Sequence, residues 1–325
     1  MNAARPALLL PALLALLLAA LAAALLSGSV TIDPARLWQP DSTAGRILWE
    51  LRLPRAATAF TSGALLALAG VLMQVLLRNP LADPYILGVS GGASVGALLA
   101  LMAGAGRLLL QGAAFAGALL STLLVFTLAH GRGSWNPGRL LLTGVVLAAG
   151  WGALISLLLS LGPDTGLRGM LFWLMGDLGQ ARWPWWGLLV LAAGLALALA
   201  QSRALNLLAG GDEQAAALGV NSARLRGLIY LLASLLTASA VTLAGNIGFV
   251  GLVVPHLLRL LGARDHRLLL PASVLAGGTL LVLADTLART ALAPRQLPVG
   301  VLTALLGVPL FLLLLHRNRE IRLRG

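Results

Sequence analysis

Four histidines and eleven acidic residues are the side chains of this 325-residue chain that could bind a metal or transfer protons. Metal ligands and catalytic groups recur at short, defined spacings such as H-x3-H or H-E-x-x-H. The histidines are dispersed, and none lies in such a motif: His130, His256, His266 and His316. No Ser/His/Asp or paired-carboxylate arrangement is visible, and there is no cysteine. The sequence therefore predicts neither a protein-held metal site nor catalysis.

Arginine supplies every basic side chain, because the chain holds no lysine and has a net charge of +12. A phosphate-binding P-loop requires a lysine, so the chain carries no standard nucleotide-hydrolysing site of its own. The arginines lie in short segments between apolar runs rather than on one soluble face, and nucleic acid is therefore not a predicted partner.

The apolar runs indicate a membrane protein, since 59% of the residues are hydrophobic and only 10% are charged. A bilayer core of about 30 Å needs roughly 20 apolar residues per helix. Ten candidate spans are found at residues 7–26, 56–77, 88–105, 108–129, 140–161, 184–200, 227–244, 248–261, 268–290 and 299–315. The first is longer than the ~7–15-residue core of a signal peptide, so we expect an uncleaved span.

The distribution of arginine predicts the orientation of these spans. With the N- and C-termini in the cytoplasm, thirteen arginines lie on the cytoplasmic side and eight on the outer side, as the positive-inside rule requires. The first outer loop, residues 28–55, departs from this rule with four arginines. Its last part, "ELRLPR", indicates either anchoring to lipid headgroups or an outward basic patch that docks an acidic partner.

Two polar interruptions break the apolar pattern: "RNPLADPYILGVSGGAS" at 78–94 and "AGNIGFVGLVVPHLLRLLGARDHR" at 244–267. Non-helical backbone at membrane depth must be buried in protein or line a water-filled path. Pro80 and Pro84 stop a helix, and the glycines that follow allow helices to approach closely. The alternative is a plain cytoplasmic loop followed by a glycine-rich packing helix.

A short cytoplasmic helix is predicted between the sixth and seventh spans, in "LAGGDEQAAALGVNSARLRG" at 208–227. Asp212 and Glu213 lie in its first turn, where the helix dipole favours acids, and Gly219 is a typical helix end. Such a helix either contacts a partner or is an ordinary surface helix.

Five segments in the same order together resemble the permease subunit of bacterial ATP-binding-cassette importers for ferric siderophores, haem and vitamin B12. They are "LRLPR" at 51–55, "RNPLADPYILGVSGGAS" at 78–94, "GNIGFVGLVVPHLLR" at 245–259, "DHRLLLPAS" at 265–273 and "LPVGVLTALLGVPLFLLLL" at 297–315. The resemblance extends from about residue 45 to 317.

This resemblance implies an all-α polytopic membrane protein of about ten transmembrane helices, including broken or re-entrant ones, as one permease domain over residues 1–325. In the family, two copies pair around a central path in the bacterial inner membrane. Two separate ATPase subunits bind ATP and Mg²⁺ beneath them, and a periplasmic substrate-binding protein docks above. The permease itself is not an enzyme and binds no cofactor.

The resemblance also implies roles for individual residues. Arginines at the positions of Arg52, Arg55 and Arg289 meet carboxylates of the binding protein, although Arg289 could instead pair with Asp285 four residues earlier. Residues of the cytoplasmic helix, about 210–221, press into the ATPase subunit in relatives with the pattern E-x-A-x-x-x-L-G. The corresponding residues are Asp212, at the glutamate position, with Glu213, Ala215, Leu218 and Gly219.

The resemblance implies two gates. Asn79 and Leu81 of the "NPLA" turn narrow the cytoplasmic end of the path. A second constriction, built from small hydroxyl residues in relatives, corresponds here to Asn136, Pro137 and Gly138, so the chain departs from the family at that gate.

The predicted function is thus ATP-driven import of a metal chelate by alternating access. The outer segment "LRGMLFWLMGDLGQARW" at 167–183 resembles vitamin B12 permeases more than siderophore permeases. An ion-gradient-driven secondary transporter is the alternative, but it needs a mid-membrane substrate or proton site, and buried carboxylates are few. A polytopic membrane enzyme would need a catalytic constellation that the sequence does not contain.

Overall fold

Long apolar helices dominate the structure. A computed structural model describes residues 8–28, 42–129 and 137–323, and within these ranges the chain forms helices and no β-strand. The helices are α1 (Leu9–Leu26), α2 (Thr43–Leu76), α3 (Val89–Met102), α4 (Arg107–Ala129), α5 (Pro137–Leu161), α6 (Asp164–Leu174), α7 (Trp185–Ala200), α8 (Ser202–Gly210), α9 (Asp212–Ala217), α10 (Ser222–Ala244), α11 (Val250–Leu260), α12 (His266–Thr290) and α13 (Val299–Leu323). A π-helical turn, Ile47–Arg52, lies inside α2, and a 3₁₀ turn, Pro84–Leu87, precedes α3.

A helix occurs at each of the ten predicted spans. In the described ranges, six helices are long and apolar enough to cross a membrane alone, namely α1, α2, α4, α5, α10 and α12. A seventh span forms if α7 and α8, which meet at a 62° bend, are taken together. The shorter apolar helices are α3, α11 and the part of α13 from Val299 to Leu313. The predicted fold class, a polytopic all-α membrane protein with broken helices, is confirmed.

The start of α2 corrects the predicted outer loop, which extended to Arg55. The helix begins at Thr43, where the Ser42 side chain accepts a hydrogen bond from the Gly45 amide at 3.0 Å. The predicted loop ended at charged residues. Charged residues can lie within a buried helix when other groups of the same protein bind them, as happens here. Arg52 and Arg55 therefore lie three residues apart on one helix, on neighbouring positions of its surface.

Helix α2 is the centre of the bundle and is almost wholly buried between α10, α11 and α12. Small residues allow this burial: a Cβ atom added at Gly63 would lie 2.2 Å from the Gly277 carbonyl oxygen of α12. Close contact through small residues is how membrane helices pack without a hydrophobic driving force between them. From Arg52 to Asn79 the chain covers roughly 40 Å at 1.5 Å per residue, so α2 joins the outer arginines to the predicted gate.

The substitution Gly70→Ala is expected to destabilise this core, because the new Cβ would lie 2.0 Å from the Gly251 carbonyl oxygen. Overpacking of this kind costs about 1–3 kcal/mol, measured as a lower midpoint of thermal unfolding in detergent. Gly112→Ala is the matched control, since nothing lies within 4 Å of its added Cβ in α4. Equal midpoints for the two variants would contradict the close packing of α2 on α11.

The two polar interruptions meet beside α2. The hydroxyl of Tyr85, in the first interruption, accepts a hydrogen bond from the amide of Ile247, in the second, at 3.1 Å. A Cβ atom added at Gly251 would lie 2.6 Å from the ring of Pro84. The broken segments thus bury each other, which satisfies part of their non-helical backbone inside the protein rather than in lipid.

Candidate docking, gate and coupling sites

The three predicted docking arginines converge at one end of the bundle. Arg55 binds the Asp285 carboxylate through two guanidinium nitrogens, with Nη2–Oδ1 at 2.8 Å and Nε–Oδ2 at 2.9 Å. Arg289 Nε lies 3.7 Å from Oδ2 of the same carboxylate. The predicted Asp285–Arg289 pair is therefore present, but Arg55 is the closer partner. A planar guanidinium that binds both oxygens has the favoured geometry for a carboxylate.

Arg52 and Arg289 also cap the C-terminal end of α1. Arg52 Nη1 donates to the carbonyl oxygens of Leu25 and Leu26 at 2.7 and 2.9 Å. Arg289 donates to the carbonyl oxygens of Ser27, at 2.7 Å, and of Ala24. The last carbonyls of a helix have no partner within it and carry negative partial charge, so cations stabilise them.

These contacts leave the cluster positively charged. The outer arginine cluster, defined as Arg52, Arg55, Arg289 and Asp285, holds three positive charges against one negative charge. Its side chains are largely buried; Arg52 is 6% exposed. The arginines line a cavity of about 270 Å³ together with Gln296, whose side-chain oxygen accepts from Arg55 at 2.9 Å. A cavity with two excess positive charges would take an acidic group.

The substitution Asp285→Ala is expected to destabilise the protein by about 3–5 kcal/mol, because removing one member of a buried ion pair leaves its partners uncompensated. The free energy of unfolding in detergent measures this effect. Asp164→Ala, an exposed acid in the first turn of α6, is the control and should cost at most about 1 kcal/mol. Equal losses would show that Asp285 does not hold the cluster together.

The first predicted gate is a compact turn that directly follows α2. The Asn79 side chain accepts from the Leu81 amide at 2.9 Å, and the Asn79 carbonyl accepts from the Ala82 amide at 3.0 Å. Asn79 and Leu81 are both exposed in the single chain. The gate turn, defined as residues 79–82, is thus closed by its own hydrogen bonds and presents two of its side chains outward.

The second predicted gate is described only in part. Asn136 lies outside the described residues, Pro137 begins α5, and Gly138 is exposed in its first turn. The structure therefore places this segment at the start of a long helix and gives no further geometry for the gate.

A helix is present within the predicted segment 208–227, as α9, Asp212–Ala217. It ends at Gly219, whose φ of +80° is typical of a helix C-terminus, and the Val220 amide donates to the Ala215 carbonyl at 2.9 Å. Ala215 is buried, whereas Glu213 and Leu218 are exposed, Leu218 at 61%. One face of α9 therefore packs on the protein and the other is available to a partner.

The coupling segment, defined as α8 and α9, is tied to the core at two points. Asn206 of α8 donates to the Asp265 carboxylate at 3.0 Å and accepts from the His266 amide at 3.0 Å, at the start of α12. The Asn206 amide and the Arg267 backbone amide hold the pKa of Asp265 below its usual value. Asp212 of α9 binds Arg226 of α10 and lies 3.5 Å from Arg78.

Sequence reasoning missed three of these features. Helix α8 was not predicted, and Arg226 and Arg78 were assigned no role beyond cytoplasmic charge. An acid at the start of a helix with arginines in flanking segments is a signal for ion pairing, but sequence does not reveal which arginine is near. Among the described residues, no group of three or more histidines and acids is placed to hold a metal ion.

Comparison with known proteins bears on the identity of the chain. The model of the FecCD transport family matches residues 16–317. The hemin transport system permease protein HmuU of Yersinia pestis is 41% identical over 332 residues, covering 98% of each chain. The cobalamin import system permease protein BtuC of Halobacterium salinarum is 46% identical over 284 residues, covering 86% of this chain and 76% of the relative.

A solved structure agrees with these relatives. It is described as an inward-facing metal-chelate type ABC transporter, is 34% identical and superimposes with a TM-score of 0.85 over 95% of this chain and 98% of its own. The resemblance inferred from the five sequence segments is therefore confirmed. The chain belongs to the FecCD transport family and is one of its multi-pass membrane permeases.

Proposed function

We propose that this chain imports a metal chelate across the bacterial inner membrane by alternating access, as one of two identical permeases driven by two separate ATPase subunits. The whole chain, residues 1–325, forms one permease domain with cytoplasmic N- and C-termini. ATP and Mg²⁺ bind in the ATPase subunits, and the permease binds no cofactor.

The observation that carries this proposal is the path of α2 and α12 between the outer cluster and the coupling segment. Helix α2 bears Arg52 and Arg55 at one end and leads into the gate turn at the other. Helix α12 bears Arg289 in its last turn and contacts Asn206 of α8 at its start. Both helices that form the outer cluster are thus connected to the segment proposed to contact the ATPase. Rigid helices of this kind can transmit a movement over the thickness of a membrane.

The outer cluster is the proposed docking site for the substrate-binding protein. Two excess positive charges in a cavity attract a carboxylate, which is a better acceptor than the helix carbonyls that now bind Arg52 and Arg289. A docked acid would therefore compete for the α1 cap and shift α1 relative to α2 and α12.

The gate turn and coupling helix complete the proposed mechanism. Asn79 and Leu81 narrow the path between the two copies, with Asn136, Pro137 and Gly138 contributing to a second constriction. Asp212, Glu213, Ala215, Leu218 and Gly219 form the contact with the ATPase. ATP binding closes the ATPase pair, and α9 moves with the ATPase. This movement switches the gates between open and closed.

The proposed cargo is a metal chelate with a large macrocycle. Relatives are named for hemin and for cobalamin, which are both tetrapyrrole chelates, and the segment at 167–183 favours vitamin B12. A ferric siderophore is the remaining candidate.

The test is ATP hydrolysis by the permease–ATPase complex in lipid nanodiscs, with and without chelate-loaded binding protein. Cobalamin, hemin and a ferric siderophore are tested separately. Stimulation by the loaded binding protein with only one of the three would assign that chelate as the cargo. A hydrolysis rate that no loaded binding protein changes, in a complex of verified composition, would contradict the proposal.

A further inference from the structure

The end of α2 has an unusual residue at its cap. The Arg78 amide donates to the Val75 carbonyl at 3.2 Å and the Asn79 amide to the Gln74 carbonyl at 3.1 Å, the pair of bonds that closes many helices. This geometry places Arg78 at φ +47°, in the left-handed region that glycine adopts without strain. Glycine would suit the backbone better, so the arginine side chain must supply something that glycine cannot.

The Arg78 side chain lies against the start of the coupling helix. Its Nη2 is 3.5 Å from Asp212 Oδ2, and its Nη1 is the nearest atom, at 4.0 Å, to a Cβ added at Gly211. The arginine thus spans from the end of α2, directly before the gate turn, to the first residue of α9.

Asp212 is shared unequally between two arginines. Arg226 Nη2 lies 2.6 Å and 2.8 Å from its two oxygens, and the Arg226 side chain is buried. The Arg78 contact is longer, and the Arg78 and Asp212 side chains are each 42% exposed. A pair with one buried partner and two short contacts is stronger than an exposed single contact, which contributes little. The Arg226 contact therefore holds α9 on α10, and the Arg78 contact is the one that links α9 to the end of α2.

We propose that Arg78 is a positioning residue that transmits the movement of α9 to the gate turn through Asp212. The proposal rests on the proposed function, in which α9 moves with the ATPase. The guanidinium of Arg78 follows the Asp212 carboxylate, and its backbone leads directly into Asn79. Because two hydrogen bonds hold residues 79–82 together, a displacement of Arg78 moves the gate turn as a unit.

The first test is the number of chelate molecules imported per ATP hydrolysed, in proteoliposomes that contain the permease and its ATPase. Arg78→Gly removes the side chain and relieves the backbone strain, so its unfolding midpoint should equal or exceed that of the native chain. The import ratio should nevertheless fall at least about tenfold, and Arg78→Lys should restore part of it. Arg224→Gln, a nearby exposed arginine without an ion pair to Asp212, is the control and should keep the native ratio.

The second test detects the contact without transport. Hydrogen–deuterium exchange of the peptide covering 79–88 is compared among the native chain, Asp212→Asn, Arg78→Gly and the double variant, each in nanodiscs. Asp212→Asn should speed exchange in the native background and leave it unchanged in the Arg78→Gly background, because the effect passes through Arg78.

Each contrary result has a distinct meaning. A native import ratio for Arg78→Gly, or no response of the 79–88 peptide to Asp212→Asn, would overturn the role of Arg78. Absence of ATP-driven import by the native complex would contradict the proposed function itself. The transmission role of Arg78 would then also be lost, even if hydrogen–deuterium exchange showed that Arg78 and Asp212 are in contact.

Discussion

Reversal of two charges, by Arg52→Glu together with Arg55→Glu, is expected to weaken docking of the loaded binding protein by at least about a hundredfold. The change takes the outer arginine cluster from a net charge of +2 to −2. Juxtaposed like charges in an interface cost several kcal/mol, and about 2.7 kcal/mol corresponds to a hundredfold loss of affinity. Surface plasmon resonance on the nanodisc-embedded complex measures the affinity. The native complex should also bind more weakly as salt increases, because salt screens the attraction, and the variant should show the opposite trend, because salt screens its repulsion.

Two controls separate docking from folding in that experiment. Arg168→Glu makes one Arg-to-Glu reversal, half of that charge change, at an exposed position of α6 outside the cluster and should alter affinity by less than about tenfold. Arg52 caps α1 and Arg55 pairs with Asp285, so the unfolding midpoint of each variant must be measured beside its affinity. Arg55→Gln removes one charge without setting an acid against Asp285, and it should weaken docking while remaining folded. Native affinity in a folded double variant would contradict docking at the cluster.

The second large effect is expected at the exposed face of the coupling helix. Leu218→Glu replaces an apolar side chain that is 61% exposed and would be buried in the ATPase interface. Burying a leucine contributes about 1.5–3 kcal/mol, and placing an unpaired charge in the same contact costs more. The affinity of the permease for its ATPase should therefore fall by at least about a hundredfold, as measured by titration in detergent.

Leu261→Glu is the matched control for this prediction. Leu261 follows the last residue of α11 and is 63% exposed, nearly the same as Leu218, but it lies outside the coupling segment. Both variants should unfold at the native temperature because neither side chain is packed in the core. A loss of ATPase binding that is equal in the two variants would show that α9 is not the specific contact.

Local sequence signals predicted the helices and several of their ends. Apolar runs located a helix at each of the ten spans, and the Asp212–Gly219 pattern located α9, because length, hydropathy and capping act within one or two turns. The predicted start of α2 was wrong: the span was predicted from residue 56, whereas the helix begins at Thr43. Arg52 and Arg55 were interpreted as exposed loop residues. Their partners, the α1 carbonyls and Asp285, are distant in sequence and could not be seen from local pattern.

The pairings within the sites depended on tertiary structure. Spacing predicted that Asp285 would pair with Arg289, four residues away, and the structure gives the shorter contact to Arg55, 230 residues away in sequence. The same applies to Asp212, which lies between Arg226 and Arg78. Helical periodicity predicts which residues share one helix face. Which residue forms the ion pair depends on the packing of the neighbouring helix.

ATP-driven uptake is the measurement that tests the central claim most directly. Proteoliposomes containing the native chain and its ATPase, with loaded binding protein on the outer face, are supplied with ATP, with a non-hydrolysable analogue, or with an imposed ion gradient alone. The account predicts accumulation of one metal chelate, with cobalamin tried before hemin and a ferric siderophore, only when ATP is hydrolysed. Accumulation under the ion gradient without ATP hydrolysis, or no accumulation of any chelate by a verified complex, would contradict it.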